Sequence, residues 1–229
     1  MSIDETTLYD CNPEDPDCLL NDEKVRETLK ESHSTRKLTY DRGENVFEAG
    51  KPIVGFYVIC EGVIREVSSP SIGENITLKV FKPGDLLTGD AFLFDEEWYK
   101  TGAQTITEAE VLFIKKSVFP ELMNVAGKKI GMKLAENMRY LRKNLEFSCR
   151  PVLKKTAYWL AKLFPDSSSE FKISNKELAE IVGCSHVTVS RKLSKLAEKE
   201  LIQKEGQVII VPDKSDLREE AVSPGFSWS

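Results

Sequence analysis

Between residues 35 and 113 the chain runs in short β-rich segments, among them Phe56-Tyr57-Val58-Ile59 and Ile76-Thr77-Leu78-Lys79-Val80-Phe81. Glycines at 43, 50, 55, 62, 73, 84 and 89 punctuate them, a spacing that suits tight turns between many short strands. A parallel α/β sheet is excluded, because each parallel step needs a crossover of about a dozen residues or more. The segment therefore predicts antiparallel strands closed into a jelly roll.

After Pro120 the apolar period changes from strand to helix. Ile130, Leu134, Met138, Leu141 and Leu145 recur every three or four residues, which places them on one stripe of coiled-coil width. Lys133, Arg139, Arg142 and Lys143 border that stripe. So narrow a seam fits a partner helix better than a broad core, and homodimerisation through these five apolar residues is expected. Pro151 interrupts the helix, because proline lacks the amide donor and clashes with the preceding turn, so residues 147–151 read as a hinge.

At the other end, Asn21 or Asp22 suits the N-cap of a short helix through about Ser32. Residues 1–20 are acidic, contain proline and offer little to pack, and read as a mobile arm. The first 31 residues hold ten acids against three bases, whereas residues 150–212 hold eleven bases against seven acids. A net charge of −5 gives no global nucleic-acid signature, but it does not exclude a local basic surface at the C-terminal end. No run of 18 apolar residues occurs, and acids stand where a signal peptide would be basic and then apolar, so a cytoplasmic protein is expected. Five scattered cysteines, Cys11, Cys18, Cys60, Cys149 and Cys184, argue against a disulfide framework, and reduced thiols are expected.

A core helix over about 152–164, with Ala157, Leu160, Ala161 and Phe164 on one side, precedes the most informative stretch, residues 173–193. Two short helices meet there at Gly183, which supplies a left-handed turn, and Ser185 can cap the second. Leu178, Ala179, Val182, Val189 and Leu193 fix the pair at a steep angle and leave His186, Val187, Ser190 and Arg191 outward. Leu201-Ile202 and Val208-Ile209-Ile210-Val211 then read as a two-stranded wing. The fold class is α+β: a β-roll over 21–117, a long dimerisation helix over 118–148, a winged helix-turn-helix over 149–213, and a loose tail over 214–229.

The run Ile181-Val182-Gly183-Cys184-Ser185, followed by Thr188-Val189, Arg191 and Leu193, resembles the Crp/Fnr family of bacterial transcription regulators, and the order of parts agrees over about residues 22–213. The resemblance implies a cyclic-nucleotide-binding-like roll, a homodimer, double-stranded DNA as partner, and RNA polymerase as a further one. Arg191 can bond bidentately to guanine, Ser190 can reach a base or phosphate, and Val187 with Thr188 can touch a thymine methyl. Lys192 and Lys195, with Lys172 and Lys176, are candidate phosphate contacts. In the family a Glu that accepts from cytosine commonly occupies the Val187 position, and its loss predicts a palindrome richer in A·T, with half-sites about one helical turn apart. The run from His186 to Arg191 also resembles the branch that regulates reductive dehalogenation in response to halogenated phenols.

Family members that bind cyclic nucleotides hold the phosphate with a Gly-Glu pair and an Arg-Ser/Thr-Ala run. The corresponding residues here are Gly89, Asp90 and Ala91, then Lys100 and Thr101, with no arginine for a planar two-bond clamp. A small organic effector other than cyclic AMP is expected, with Tyr140 and Leu141 reaching it from the long helix. A family branch holds an iron–sulfur cluster on clustered N-terminal cysteines. Cys11 and Cys18, with Cys60 and Cys149, depart from that spacing, and Cys60 reads as a small buried hydrophobe. The rival sensor is a redox switch at Cys11 and Cys18, and haem has only His33 to rest on. Neither histidine lies among the predicted strands of the roll, which rules out a cupin metalloenzyme, and no catalytic constellation is present, so no enzyme activity is expected. From another class, a ligand-binding regulatory module without DNA binding is the alternative, against which the winged motif argues.

Overall fold

A computed structural model describes residues 18–69, 75–88, 91, 94, 96–164 and 170–222. The described chain falls into two compact units, one of residues up to Ser69 with Leu78–Leu141, the other of the segment ending at Thr77 with the residues from Arg142 onward. The first opens on α1 (Glu23–Ser32), whose N-cap is Asp22, accepting from the amides of Lys24 and Val25 at 3.0 and 3.4 Å. Then come β1 (Thr35–Tyr40), β2 (Asn45–Phe47), β3 (Gly55–Glu61), β4 (Ile64–Ser68), β5 (Ile76–Phe81), β6 (Leu86–Leu87), β7 (Gly102–Thr105) and β8 (Ala109–Lys115). They form two four-stranded sheets, in the orders β1-β8-β3-β6 and β2-β7-β4-β5. The pairing of β3 on β8 is antiparallel, with Phe56 opposite Ile114 and Val58 opposite Leu112.

Strand β3 is apolar almost throughout because the sheet that contains it is covered on both faces. Side chains alternate along a strand. Tyr57, Ile59 and Val111 face the other sheet and pack with Phe47, Ile64 and Phe81. Phe56, Val58, Leu112 and Ile114 turn the other way and meet Leu20, Val25, Leu29, Phe119 and Leu122. Cys18, Leu19 and Leu20, expected at the end of a mobile arm, are buried in this second cluster, and residues 1–17 lie outside the described residues.

A 3-10 turn leads into α2 (Phe119–Ser148), which departs from helical geometry at Ala126 (φ −136, ψ 18). Its early apolar positions belong to this subunit's own core. Ile130 is 1% exposed, which corrects its placement in a dimer interface, and Leu134 is partly buried against the same cluster. The stripe divides because the first turns of the helix lie on the roll. Met138, Leu141 and Leu145 remain exposed at 67%, 48% and 72%.

The second unit contains α3 (Val152–Leu163), β9 (Glu170–Lys172), α4 (Asn175–Val182), α5 (His186–Glu198), β10 (Gln203–Glu205), β11 (Val208–Ile210) and α6 (Lys214–Ala221). Tyr158, Leu160 and Leu163 of α3 are buried, and Phe147 stacks on Tyr158 with ring centroids 4.1 Å apart. The wing is three-stranded, in the order β10-β11-β9, rather than two-stranded, and Leu201-Ile202 precedes β10 instead of forming it. The expected loose tail is helical as far as Ala221. Asp213 caps α6 by accepting from the Ser215 amide at 2.7 Å, and Leu217 and Ala221 are buried. Eight residues with two apolar positions carry too weak a periodicity to reveal such a helix before its capping residue is seen.

Gly62 joins β3 to β4 at φ +85, and a β-carbon there would sit 2.2 Å from the Glu108 carbonyl oxygen. Both the left-handed backbone and the approach of another strand require glycine. Gly62→Ala is expected to lower stability by roughly 2–4 kcal/mol, read as an earlier urea midpoint with an unchanged slope.

Candidate effector cavity and DNA interface

The inner face of the roll holds a cavity of about 240 Å³. Phe47, Ile53, Phe81, Leu87, Ala91 and Tyr99 make its apolar walls, and Glu66, Lys79, Glu96, Lys100, Thr101 and Asn137 its polar ones, with Leu141 beside Asn137 on α2. Among the sequence-derived effector residues, Ala91, Lys100, Thr101 and Leu141 are thus brought together. Gly89 and Asp90 lie outside the described residues. Tyr140 accepts a hydrogen bond from the Val80 amide at 3.0 Å, which ties α2 to β5.

The cavity's polar groups are engaged with one another. Lys100 pairs with Glu96, and the Thr101 hydroxyl donates to Glu66 at 2.6 Å. Lys79 is 5% exposed; its ammonium donates to Asn137 and lies 4.1 Å from the Phe81 ring centroid and 5.6 Å from that of Tyr140. Phe47 stacks on Tyr99 at 4.0 Å, and Tyr99 donates to the Gly55 carbonyl at 3.3 Å. Burial, with Tyr99 beside it, pushes the Tyr57 hydroxyl far above the ordinary phenol range. Sequence reasoning missed Glu66, Lys79 and Asn137. Lys79 was detectable in principle, as a lone charge inside the run Ile76–Phe81 on the same strand face as Phe81.

In the second unit, Ser174 and Glu177 form a reciprocal capping box at the start of α4. Gly183 ends that helix at φ +71. Ser185 caps α5, its hydroxyl 3.3 Å from the Thr188 amide and 2.9 Å from the Thr188 hydroxyl. Val189, Leu193 and Leu196 are buried against the rest of the unit. His186, Val187, Arg191 and Lys195 are exposed, and Thr188, Ser190 and Lys192 partly so, which puts all seven on or beside the outward face of one helix. The Thr188 hydroxyl is thus engaged at the cap, and its methyl is a further apolar contact on the same side chain. Lys204 of the wing donates to Asn175 of α4 at 3.0 Å, and Lys172 and Lys176 are exposed.

Cysteine placement differs from the sequence expectation. Cys18, proposed as a redox partner of Cys11, is fully buried and not disulfide-bonded, and Cys11 lies outside the described residues. Cys60, expected as a small buried hydrophobe with a reduced thiol, is half-buried and disulfide-bonded. It sits where the register of β3 shifts between Ile59 and Glu61. Cys149 and Cys184 are not disulfide-bonded. No helix among the described residues is long and apolar enough to cross a membrane.

Residues 37–125 match the cyclic nucleotide-binding domain family, and residues 154–220 match the Crp-like helix-turn-helix domain family. The chain belongs to the Crp/Fnr family of transcription regulators. It is 29% identical over 196 residues to the cyclic AMP receptor protein of Thermus thermophilus, covering 83% of this chain and 87% of that one. It is 26% identical over 187 residues to the cAMP-activated global transcriptional regulator of Haemophilus influenzae, covering 75% and 82%. FixK2 from Bradyrhizobium japonicum has the same fold, with a TM-score of 0.70 at 18% identity over 82% of this chain and 98% of that one. So does a Crp/Fnr-family regulator from Thermus thermophilus, with a TM-score of 0.70 at 21% identity over 83% and 100%. As a Crp/Fnr regulator the chain is a DNA-binding transcription factor with a cyclic nucleotide-binding domain, and its architecture of antiparallel roll, long helix and helix-turn-helix is that of the family.

Replacing Tyr140 by Phe removes the acceptor for the Val80 amide while keeping the ring. Tyr140→Phe is expected to cost about 1–2 kcal/mol, measured by urea denaturation of the purified chain.

Proposed function

We propose that this regulator is a homodimer whose roll cavity takes a small, uncharged or weakly acidic organic effector rather than cyclic AMP, and whose α5 helix reads an A·T-rich palindrome. The observation that carries the effector reading is the charge of the cavity: among the described residues two carboxylates, Glu66 and Glu96, accompany two lysines, and no arginine lines it. A cyclic nucleotide brings a phosphate that is best held by a planar guanidinium, and lysine is a poor substitute for that geometry. The volume, about 240 Å³, falls below the roughly 300–1,000 Å³ usual for drug-sized ligands, which favours a compact molecule of about one aromatic ring. Phe47, Phe81 and Tyr99 offer it stacking surfaces.

Asn137 and Leu141 place the wall of the cavity on α2, so a ligand there touches the helix that carries the exposed seam. Met138, Leu141 and Leu145 supply a short parallel helix pairing, fewer residues than the sequence stripe but continuous with it. An effector changes DNA affinity only to the extent that it binds two conformers differently. A second copy of α5 from the partner of a two-fold dimer then reads the second half-site.

On the DNA side, Arg191 gives a bidentate donor for guanine O6 and N7, while Val187, 48% exposed, and the Thr188 methyl suit thymine methyl groups. Lys192, Lys195, Lys172 and Lys176 serve the phosphates, with RNA polymerase the further partner at a promoter.

Selection by the full-length protein from a random duplex pool is expected to return an A·T-rich palindrome with half-sites about one helical turn apart; a G·C-rich consensus overturns the reading of Val187. Arg191→Ala is expected to cost about 1–3 kcal/mol per half-site on the selected duplex and to relax the sequence at one base pair. Calorimetry with cyclic AMP, cyclic GMP and single-ring aromatic acids and phenols tests the cavity. Cyclic AMP binding at micromolar levels, abolished by Lys79→Met, would replace the proposed effector class by the nucleotide.

A further inference from the structure

We propose that the last turn of α6 is a strut that sets the tilt of α5, and that Glu220 and Lys199 are positioning residues for DNA binding. The inference rests on the assignment of α5 as the DNA-reading helix and adds to it the device that aims that helix.

Both ends of α6 are fastened to α3. Lys214, at the start of α6, donates to the carbonyl of Phe164, the C-cap of α3, at 3.4 Å. Lys154, in the first turn of α3, donates to the carbonyl of Val222, the C-cap of α6, at 3.1 Å. Each helix thus supplies a lysine to the carbonyl end of the other, where a cation is favoured. Between those ends Leu217 and Ala221 are buried, and α6 packs on α3. A third contact runs from α6 to α5: the Glu220 carboxylate accepts from the Lys199 ammonium at 2.6 Å. Lys199 is the C-cap of α5. Within the span from Glu220 to Val222, α6 is therefore bonded to the C-terminal end of α5 and to the N-terminal end of α3.

The end of α5 that receives this contact is closed against its own preference. The Glu200 amide donates to the Ala197 carbonyl at 2.9 Å and the Leu201 amide to the Leu196 carbonyl at 3.0 Å, the two bonds of a Schellman motif. That motif needs a left-handed residue, usually glycine, and here the residue is Glu200, at φ 61. Such a conformation persists where its surroundings hold it. Glu220 holds the adjacent residue, with side chains 19% exposed for Glu220 and 49% for Lys199.

The ion pair acts at the opposite end of α5 from the reading residues. Apolar contact is non-directional, so the buried Val189, Leu193 and Leu196 select the inward face of α5, whereas a bond to a helix packed on α3 fixes its angle. The helix has 13 residues, about 20 Å of length. A tilt of about 5° at the C-cap therefore displaces the first turn by about 2 Å, more than the roughly 0.5 Å range of a good hydrogen bond. The sign of one substitution separates positioning from charge. Removing a carboxylate from a DNA-binding unit lessens repulsion of phosphates and, on charge alone, strengthens binding. Removing one that aims α5 weakens it.

The test is fluorescence anisotropy of the full-length protein on the selected palindromic duplex, at fixed pH over a range of salt. Glu220→Gln is expected to bind about threefold less tightly per half-site, about tenfold for a two-fold dimer, within what an ion pair of this exposure supplies. Lys199→Met is expected to show the same loss with the wild-type salt slope. The exchanged pair, Lys199→Glu with Glu220→Lys, is expected to recover most of the affinity. Urea transitions of all three are expected to stay single and near the wild-type midpoint. Arg191→Ala, run in the same series, reports on DNA reading by α5 itself. Glu220→Gln binding as tightly as wild type or more so overturns the proposal, while a loss in Arg191→Ala leaves α5 as the reader. A salt slope lowered by about one counterion per half-site in Lys199→Met makes Lys199 a phosphate contact and overturns it too. So does an exchanged pair that recovers nothing. If Arg191→Ala binds like wild type, the assignment of α5 fails and the proposal goes with it.

Discussion

The attachment of the long helix to the roll is the constraint on which the remainder of the first unit depends. Two contacts set its register: the Val80 amide donates to the Tyr140 hydroxyl, and the Lys79 ammonium donates to Asn137. Asn137 and Tyr140 are three residues apart and so lie on one face of the helix. With that face turned to β5, Asn137 and Leu141 become a wall of the cavity while Met138 is left in solvent.

In the second unit the equivalent constraint is the pair of caps that bracket Gly183. Ser174 and Glu177 fix where α4 starts, the left-handed glycine stops it, and Ser185 starts α5 two residues later. With both ends pinned, the buried Val189, Leu193 and Leu196 decide which face of α5 turns inward. The cap also engages the hydroxyl of Thr188, which follows the branched side chain of Val187. The outward surface carries His186, Val187 and Thr188 in its first turn and is cationic further along.

The parts of this architecture that were legible in the sequence are those written by local chemistry. The Asp22 cap, the glycine turns of the roll, the two short helices about Gly183 and the outward residues of α5 follow from residue types at fixed spacing, and the structure contains them. What eluded the sequence depends on which surface meets which. Ile130 and Met138 look alike in a heptad, yet the first is covered by the roll and the second is bare. Cys18 and Leu19 follow an acidic, proline-containing stretch that reads as loose, yet they fill the cluster beneath α1. Strand β9 and helix α6 are three and eight residues long, too short for a period to emerge above composition. Glu66 and Asn137 belong to the cavity only because β4 and α2, 71 positions apart, converge on it.

That convergence also limits what the chamber accepts. A buried charge is tolerated only when it is paired or hydrogen-bonded, and Lys79 obeys this with Asn137 and two aromatic rings beside it, while Lys100, an exposed side chain, pairs with Glu96 and the Thr101 hydroxyl donates to Glu66. An incoming dianion or a fully exposed phosphate would meet two carboxylates at close quarters, and in a low-dielectric chamber such like-charge contacts are costly. A neutral ring bearing one acidic hydroxyl or carboxyl faces a smaller conflict, because it can surrender its charge to a proton or place it against Lys79 while its apolar part replaces water on Phe47, Phe81 and Tyr99. Under the proposed effector reading, contact with Lys79 is also contact with its bond to Asn137, a residue of the long helix.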